Sequence, residues 1–228
     1  MPGRSPSRAR EPGVNAMRPQ NVSSFEYAAA HLRAADPVLG RLIEQIGPYV
    51  LQRDPDHFYA LVSSIVAQQI SVRAAATIMR RLEALFPAQE GITAEGVLAA
   101  GPEALRAVGL SSMKTRYVLD LAERVADGRL DLERLASLDD DAVIAELVQV
   151  RGIGRWTAEM FLIFALGRLD VLPVDDLGFR VAVKHQYGFD ELPTAEQLRA
   201  IGACWAPYRT VATWYLWQSR GTIPRGQQ

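Results

Sequence analysis

Cysteine is almost absent from this chain of 228 residues, in which Cys204 is the only one. A single thiol makes no internal disulfide, and it supplies neither the thiolates of an iron–sulfur cluster nor a cysteine-based zinc site. The histidines His31, His57 and His185 lie far apart and lack the spacing of metal ligands. We therefore interpret them as ordinary surface or core histidines.

An excess of positive charge and long apolar segments are also lacking. The 25 Lys and Arg residues are balanced by 26 Asp and Glu, so the net charge is −1. Bulk electrostatics therefore give no reason to expect nucleic acid, and any DNA contact has to come from local geometry. No run of about 18 apolar residues occurs, which predicts no membrane span. The arginine-bearing start has no apolar signal segment, and we expect a reducing, cytoplasmic location.

Alternating β-type patterns are nearly missing as well. Apolar residues recur at helical spacing, and capping residues and prolines divide the chain into about ten to twelve helices joined by short loops. The apolar segment 171–174 is short and contains Pro173, so we interpret it as a buried loop rather than a strand. With 49% hydrophobic residues, the sequence predicts an all-α protein with a packed core.

The first residues differ in composition from the rest. Residues 1–22 are rich in Pro, Arg, Ser and Gly with few apolar side chains, which predicts a disordered tail before a folded core over 23–228. We expect two helical lobes in this core. A middle lobe covers about residues 70–180, the N- and C-terminal helices form the second, and the cleft between them is a natural site.

The most informative motif is a pair of glycines, Gly152 and Gly154, between two predicted helices. In such a turn backbone N–H groups approach a ligand closely, and the start of the second helix adds its positive end. The pattern favours a phosphate site, and the alternative is a plain turn in which glycine only ends a helix. The backbone carbonyls of Val148, Val150 and Ile153 are candidates for holding a monovalent cation.

Two adjacent carboxylates, Asp175 and Asp176, follow Pro173 on a new turn. An anion site with acids close behind it indicates a phosphate backbone that is held while a carboxylate does chemistry. The alternative for either acid is a helix N-cap, a position that aspartate fills well.

These motifs together resemble the helix-hairpin-helix, Gly-Pro-Asp superfamily of DNA glycosylases, and within it the bacterial 3-methyladenine DNA glycosylase II group. The resemblance covers about residues 36–220. It is carried by IVAQQISV at 65–72, LVQVRGIGRWTA at 147–158, LPVDDLG at 172–178 and WAPYR at 205–209. The larger relatives have an additional β-rich lobe before the helical core, whereas this chain has only a tail and a helix or two before Asp36.

The resemblance implies a monofunctional glycosylase that flips an alkylated base out of DNA and hydrolyses its N-glycosidic bond in base excision repair. Asp176 matches the family's catalytic aspartate, and we expect Asp175 to be the cap or support and to belong to the substrate pocket. A carboxylate beside C1′ stabilises the oxocarbenium-like transition state and orients or deprotonates water.

Bifunctional relatives carry a lysine where this chain has Trp156, so the resemblance implies no Schiff base and no strand cleavage. A glycosylase/lyase remains the enzymatic alternative. Trp156 and Trp217 are predicted to line the base pocket, because aromatic faces attract positively charged alkylated purines. The alternative is core packing, which we expect for Trp214. Met160 joins the pocket at a place where the best-known relatives have an aromatic side chain.

The family places a wedge residue near the end of a helix in the opposite lobe, where it fills the gap left by the flipped base. Gln69 is the candidate, with Gln68 beside it, and the alternative is an exposed helix end. The other predicted DNA-binding residues are Gly152, Ile153, Gly154, Arg155, Thr157 and Lys114. Lys114 and Arg116 lie in a second hairpin-like turn, where a solvated basic face is the alternative.

The resemblance further implies double-stranded DNA with alkylated bases as the partner, a monomer, and a bacterial-type, nucleoid-associated protein in the cytoplasm. It implies no required cofactor, with Na+ or K+ in the hairpin as the candidate structural ion. The candidate lesions are 3-methyladenine, 7-methylguanine, 1-methyladenine, 3-methylcytosine and ethenoadenine. The alternative from a different class is a helix-hairpin-helix DNA-binding module without catalysis.

Overall fold

The computed structural model describes residues 20–223, with side chains from residue 25 onward. Over that range the chain is helical without strands, which confirms the predicted all-α fold. The helices are α1 (Gln20–Ala35), α2 (Pro37–Ile46), α3 (His57–Ala67), α4 (Val72–Glu83), α5 (Ala94–Ala107), α6 (Ser112–Ala126), α7 (Leu132–Leu135), α8 (Asp140–Leu147), α9 (Arg155–Phe164), α10 (Leu177–Tyr187), α11 (Ala195–Gly202) and α12 (Arg209–Gln218), with a 3-10 turn at Ala203–Trp205. Of the predicted tail, residues 1–19 lie outside the described residues, and residues 20–22 belong to α1.

Two groups of helices follow from the packing. Helix α3 packs on α4, α6 and α9, with α5 on α6 and α8 on α9. Helices α1, α2, α10 and α12 form the second group, together with the 3-10 turn and α11. Helix α3, which precedes the predicted lobe boundary near residue 70, thus packs with the middle helices.

Short polar side chains set the starts of most helices. Ser71, Thr93 and Ser111 each accept a backbone N–H from the first turn of the helix that follows, which satisfies a donor that has no partner within the helix. Helix α5 contains a break at Gly101, whose φ of 73° is left-handed, and Pro102 restarts the helix after it. The chain between residues 171 and 174 is a loop, as predicted, with Val171 and Val174 buried.

The Asp36 side chain connects the N-terminal helix α2 to α10 and the 3-10 turn. Its Oδ1 accepts the N–H groups of Val38 at 2.8 Å and Leu39 at 3.3 Å, which caps α2. Its Oδ2 accepts the hydroxyl of Tyr187 at 2.6 Å and the indole N–H of Trp205 at 2.8 Å. The carboxylate is buried, and all its partners are donors. It therefore holds α2, α10 and the 3-10 turn together.

We expect Asp36→Ala to lower the free energy of unfolding by about 3 kcal/mol, because it leaves buried donors unpaired and removes a helix cap. Tyr187→Phe, which removes one of these donors, is the matched control and costs about 1 kcal/mol. Urea unfolding followed by circular dichroism measures both. Equal costs for the two variants would contradict a central role for the Asp36 carboxylate.

Within the described residues, no helix combines the length and the apolar character that crossing a membrane requires.

Candidate active site

A cleft of about 1050 Å³ opens between α3 on one side and α9 with the start of α10 on the other. It is lined along α3 by Tyr59, Ser63, Ser64 and Ala67, along the α3–α4 loop by Gln68 and Gln69, at the hairpin by Gly152 and Gly154, along α9 by Trp156, Thr157, Met160, Phe161 and Phe164, and at the start of α10 by Asp176 and Leu177. Most of the predicted site residues therefore meet at one cleft, although they come from distant parts of the chain.

Asp176 is the carboxylate of the cleft, and three donors hold it. Its Oδ1 accepts the backbone N–H of Phe179 at 2.6 Å and the indole N–H of Trp217 at 2.8 Å. Its Oδ2 accepts the indole N–H of Trp156 at 2.9 Å. Asp176 is only 6% exposed and still lines the cleft. These fixed donors orient the carboxylate at the cleft wall.

The predicted division of labour between the two acids is wrong for Asp175. The residue that caps α10 is Asp176 itself, through Phe179, so one carboxylate both caps the helix and faces the cleft. Asp175 is exposed, and it is not part of the cleft wall. Adjacent residues in a turn point in different directions, and the bond from Trp217 selects Asp176.

The tryptophans divide between wall and core. Trp156 is 39% exposed and lines the cleft. Trp217 is fully buried, which corrects the prediction that its face lines the pocket: it lies behind the wall and donates to Asp176. Phe164 stacks on Trp217 with ring centroids 5.9 Å apart and forms that part of the wall instead. Met160 is nearly buried but belongs to the wall, and Trp214 is buried, as expected.

The two glycines lie in the turn between α8 and α9, where the hairpin was predicted. Gly152 has a φ of 82°, and a Cβ there would overlap the ring of Tyr117 on α6, so the turn needs glycine at this position. Gly154 is the N-cap of α9 and provides no side-chain cap. The first N–H groups of α9 thus stand at an exposed glycine, a suitable arrangement for an anion.

The other hairpin residues differ in exposure. Ile153 and Thr157 are buried, and Thr157 also belongs to the cleft wall. Arg155 is exposed, and its guanidinium pairs with Glu159 at 3.0 Å and with Asp141 at 4.0 Å. Arg155 is therefore accessible to a phosphate, whereas contacts to Ile153 are restricted to its backbone.

The α3–α4 loop forms one rim of the cleft. Gln69 is exposed and has a φ of 57°, the left-handed region that non-glycine residues seldom adopt. The side-chain amide of Gln68 donates to the carbonyl of Gly152 at 2.8 Å. Gln68 therefore connects this rim to the hairpin across the cleft, while Gln69 projects from it.

The prediction that Lys114 reaches phosphate is wrong. Its side chain is buried, and its ammonium donates to the carbonyls of Val66 and Gln68, both at 2.6 Å. Burial lowers the pKa of this lysine. The predicted solvated face is also wrong for Lys114, because its partners are the last carbonyls of α3, which come from a distant part of the chain. Lys114 and Arg116 lie in α6 rather than in the predicted hairpin-like turn, and Arg116 is exposed.

Several cleft residues were not found from the sequence, among them Asp54, Tyr59 and Phe164. The Asp54 N–H donates to the Phe164 carbonyl at 3.0 Å, and burial raises the pKa of the Asp54 carboxyl. Tyr59 donates to Glu83 at 2.7 Å, and burial together with this bond raises the pKa of Tyr59 to about 12. Asp54 precedes α3, Tyr59 lies on α3 and Phe164 ends α9. Helix packing, which no local pattern indicates, brings them to one cleft.

The described geometry, a glycine hairpin facing a cleft that contains one buried carboxylate, coincides with a family profile. The profile of HhH-GPD superfamily base excision DNA repair proteins matches residues 62–207. The chain belongs to this superfamily. The matched range contains the hairpin of Gly152 and Gly154, the second half of α3 with the α3–α4 loop, and Asp176.

Curated relatives and solved structures are similar to this chain over most of its length. DNA-3-methyladenine glycosylase 1 of Schizosaccharomyces pombe is 32% identical over 202 residues, which are 87% of this chain and 89% of that protein. A crystal structure of a DNA-3-methyladenine glycosidase from Bacillus halodurans is 41% identical, with a TM-score of 0.76 and coverage of 86% and 89%. The 3-methyladenine DNA glycosylase of Schizosaccharomyces pombe in complex with abasic DNA is 32% identical, with a TM-score of 0.78 and coverage of 86% and 97%.

Proposed function

We propose that this protein is a monofunctional DNA-3-methyladenine glycosylase, which hydrolyses the N-glycosidic bond of alkylated bases in double-stranded DNA and leaves an abasic site. The observation that carries the proposal is the buried Asp176 carboxylate, held by two indoles at the wall of the cleft. Asp176 differs from the buried Asp36, which serves the fold, because it also lines the cleft, where a DNA-binding module without catalysis has no need for a carboxylate.

In this proposal Asp176 acts on the sugar of the everted nucleotide. Cleavage of the N-glycosidic bond builds positive charge on the deoxyribose, and a fixed carboxylate stabilises it. Oδ2 has the fewer bonds, one to Trp156, against two at Oδ1, so we assign Oδ2 to the sugar and to the attacking water.

The flipped base enters the aromatic part of the cleft. The wall offers the faces or edges of Trp156, Phe161, Phe164 and Tyr59. Alkylated purines carry positive charge on the ring before cleavage, and aromatic faces attract this charge while stacking offsets the cost of flipping. This favours cationic bases such as 3-methyladenine and 7-methylguanine among the candidate lesions.

The scarcity of lysine in the sequence supports a reaction without strand cleavage. The whole sequence has only Lys114 and Lys184. Lys114 is buried and bonded to two carbonyls, and Lys184 lies in the last turn of α10. No lysine is among the described residues that line the cleft, so the amine that a Schiff base requires is missing beside Asp176.

The hairpin of Gly152 and Gly154 is assigned to a DNA phosphate, with Arg155 beside it and Gln69 as the wedge. The carbonyls of Val148, Val150 and Ile153 are proposed to hold Na+ or K+, which would offset the phosphate charge. Val150 fits this assignment, because its carbonyl accepts one N–H, from Ile153 at 3.1 Å, and a carbonyl oxygen has two lone pairs. A monomer in the bacterial cytoplasm, associated with the nucleoid, stays a prediction.

Product analysis tests the reaction. We expect the wild-type protein to release free methylated base from duplex DNA treated with a methylating agent, while the strand stays intact until alkali cleaves the abasic site. Chromatography of the released base and denaturing gels with and without alkali measure the two steps. Strand cleavage without alkali, with borohydride trapping of the protein, would identify a lyase. Binding of abasic-analogue DNA without base release would identify a binding module.

A further inference from the structure

One side of α6 contacts both the end of α3 and the hairpin, the two elements that the proposed function places on DNA. Lys114, Tyr117 and Asp120 are spaced three residues apart, so they lie along the same side of the helix. The Lys114 ammonium binds the end of α3, and Tyr117 packs under Gly152. The Asp120 carboxylate accepts the N–H of Arg151 at 2.9 Å. Helix α6 thus sets the position of the hairpin and of the opposite rim together.

Lys114 is an unusual capping group. The last carbonyls of a helix have no partner within it, and the C-terminal end of the helix carries partial negative charge. A lysine placed there satisfies both needs, and its bonds to Val66 and Gln68 at 2.6 Å are short. The side chain is only 7% exposed, so it is not available to a solvent-side ligand.

The Gln68 carbonyl is the last anchor before the left-handed residue. The Lys114 ammonium donates to this carbonyl, and the Gln68 side-chain amide donates to the carbonyl of Gly152 in the hairpin. Gln69 follows directly with a φ of 57°. An L-residue in this region is strained by roughly 1–2 kcal/mol, so its conformation requires that the neighbouring peptide be fixed.

We infer that Lys114 is a positioning residue for base flipping: its ammonium fixes the Gln68 peptide so that Gln69 stands ready at the rim to enter the duplex. The inference rests on the proposed function, in which Gln69 is the wedge. Lys114 contacts neither the base nor a phosphate and acts through Gln69. If Lys114 only stabilised the fold, its replacement would reduce base flipping only by lowering the fraction of folded protein.

A double-mutant cycle separates these roles. The variants are Lys114→Met, Gln69→Ala and the double variant, and the probe is a duplex with 2-aminopurine opposite an abasic-site analogue. Its fluorescence reports insertion of the wedge and needs no catalysis. We expect each single variant to reduce the fluorescence change at saturating protein, and to weaken binding by about tenfold. The double variant should be no worse than the more impaired single variant.

Val118→Ala is the matched stability control, because Val118 is a fully buried residue on the same helix. We expect it to lower the melting temperature while the fluorescence change at saturation stays that of wild type. If Lys114→Met does not fold, Lys114→Gln, which keeps a donor without the charge, replaces it in the cycle.

Additive effects of the Lys114 and Gln69 variants, or a Lys114 variant that behaves like Val118→Ala, would overturn the inference. Base release from methylated DNA by the wild type is measured beside the cycle. A wild type that inserts the wedge without releasing base contradicts the proposed function and leaves the cycle readable. If the wild type releases base and the effects of the two variants are additive, only the role of Lys114 is contradicted, and the proposed function stands.

Discussion

Asp176→Asn should reduce the single-turnover rate of base release by about 1000-fold, the effect typical of losing the group that stabilises charge in the transition state. The amide is neutral, so it offers little stabilisation to the oxocarbenium-like sugar. Its oxygen takes the place either of Oδ1, where it accepts from Phe179 and Trp217, or of Oδ2, where it accepts from Trp156, and the NH2 group then meets the remaining donors. We therefore expect a loss of stability of about 1–2 kcal/mol as well. Quenched-flow or manual sampling of released base under excess protein measures the rate.

Asp175→Asn is the isosteric control for this experiment. Asp175 is exposed and lies outside the cleft wall, so we expect its variant to keep both the rate and the melting temperature. Binding of abasic-analogue DNA should survive in both variants, since neither changes the hairpin. A rate for Asp176→Asn within tenfold of wild type would remove Asp176 from the reaction. Loss of activity in Asp175→Asn would assign catalysis to the exposed acid.

The fold could be predicted largely because its signals are local. Helix starts at Asp36 and Ser71 follow from side chains that bond the next turn, within three residues of the cap. The hairpin follows from Gly152, whose φ of 82° and close approach to Tyr117 require glycine. The break at Gly101 and Pro102 is of the same kind. Such features need no knowledge of the rest of the chain.

The site was harder to predict because its decisive contacts join distant residues. Asp175 and Asp176 are equivalent as a local pattern, and the Trp217 indole from α12 selects between them. The same bond holds Trp217 behind the cleft wall. The sequence of a helix does not show how deeply one of its aromatic residues is buried. Lys114 has the local pattern of a surface cation, and only the packing of α3 against α6 buries it against carbonyls.

Gly152→Ala should be the most damaging change in the hairpin. Alanine at a φ of 82° is strained, and its Cβ would overlap the ring of Tyr117. We expect the free energy of unfolding to fall by about 3 kcal/mol or more. Binding of abasic-analogue DNA should weaken by at least about tenfold, because the turn that presents the N–H groups of α9 is displaced. Chemical unfolding and fluorescence anisotropy measure the two losses.

Two further variants separate the backbone strain from the steric overlap. Gly128 has a φ of 76°, and a Cβ added there would meet no atom within 4 Å, so Gly128→Ala measures the strain of the left-handed conformation alone, about 1–2 kcal/mol. Tyr117→Ala removes the ring, and in that background Gly152→Ala should cost about as much as Gly128→Ala does in wild type. DNA binding should be untouched by Gly128→Ala. Equal costs for Gly128→Ala and Gly152→Ala in wild type would show that the Tyr117 ring yields freely. The packing of the hairpin on α6 would then not be what presents Gly154 and the start of α9 to the proposed phosphate.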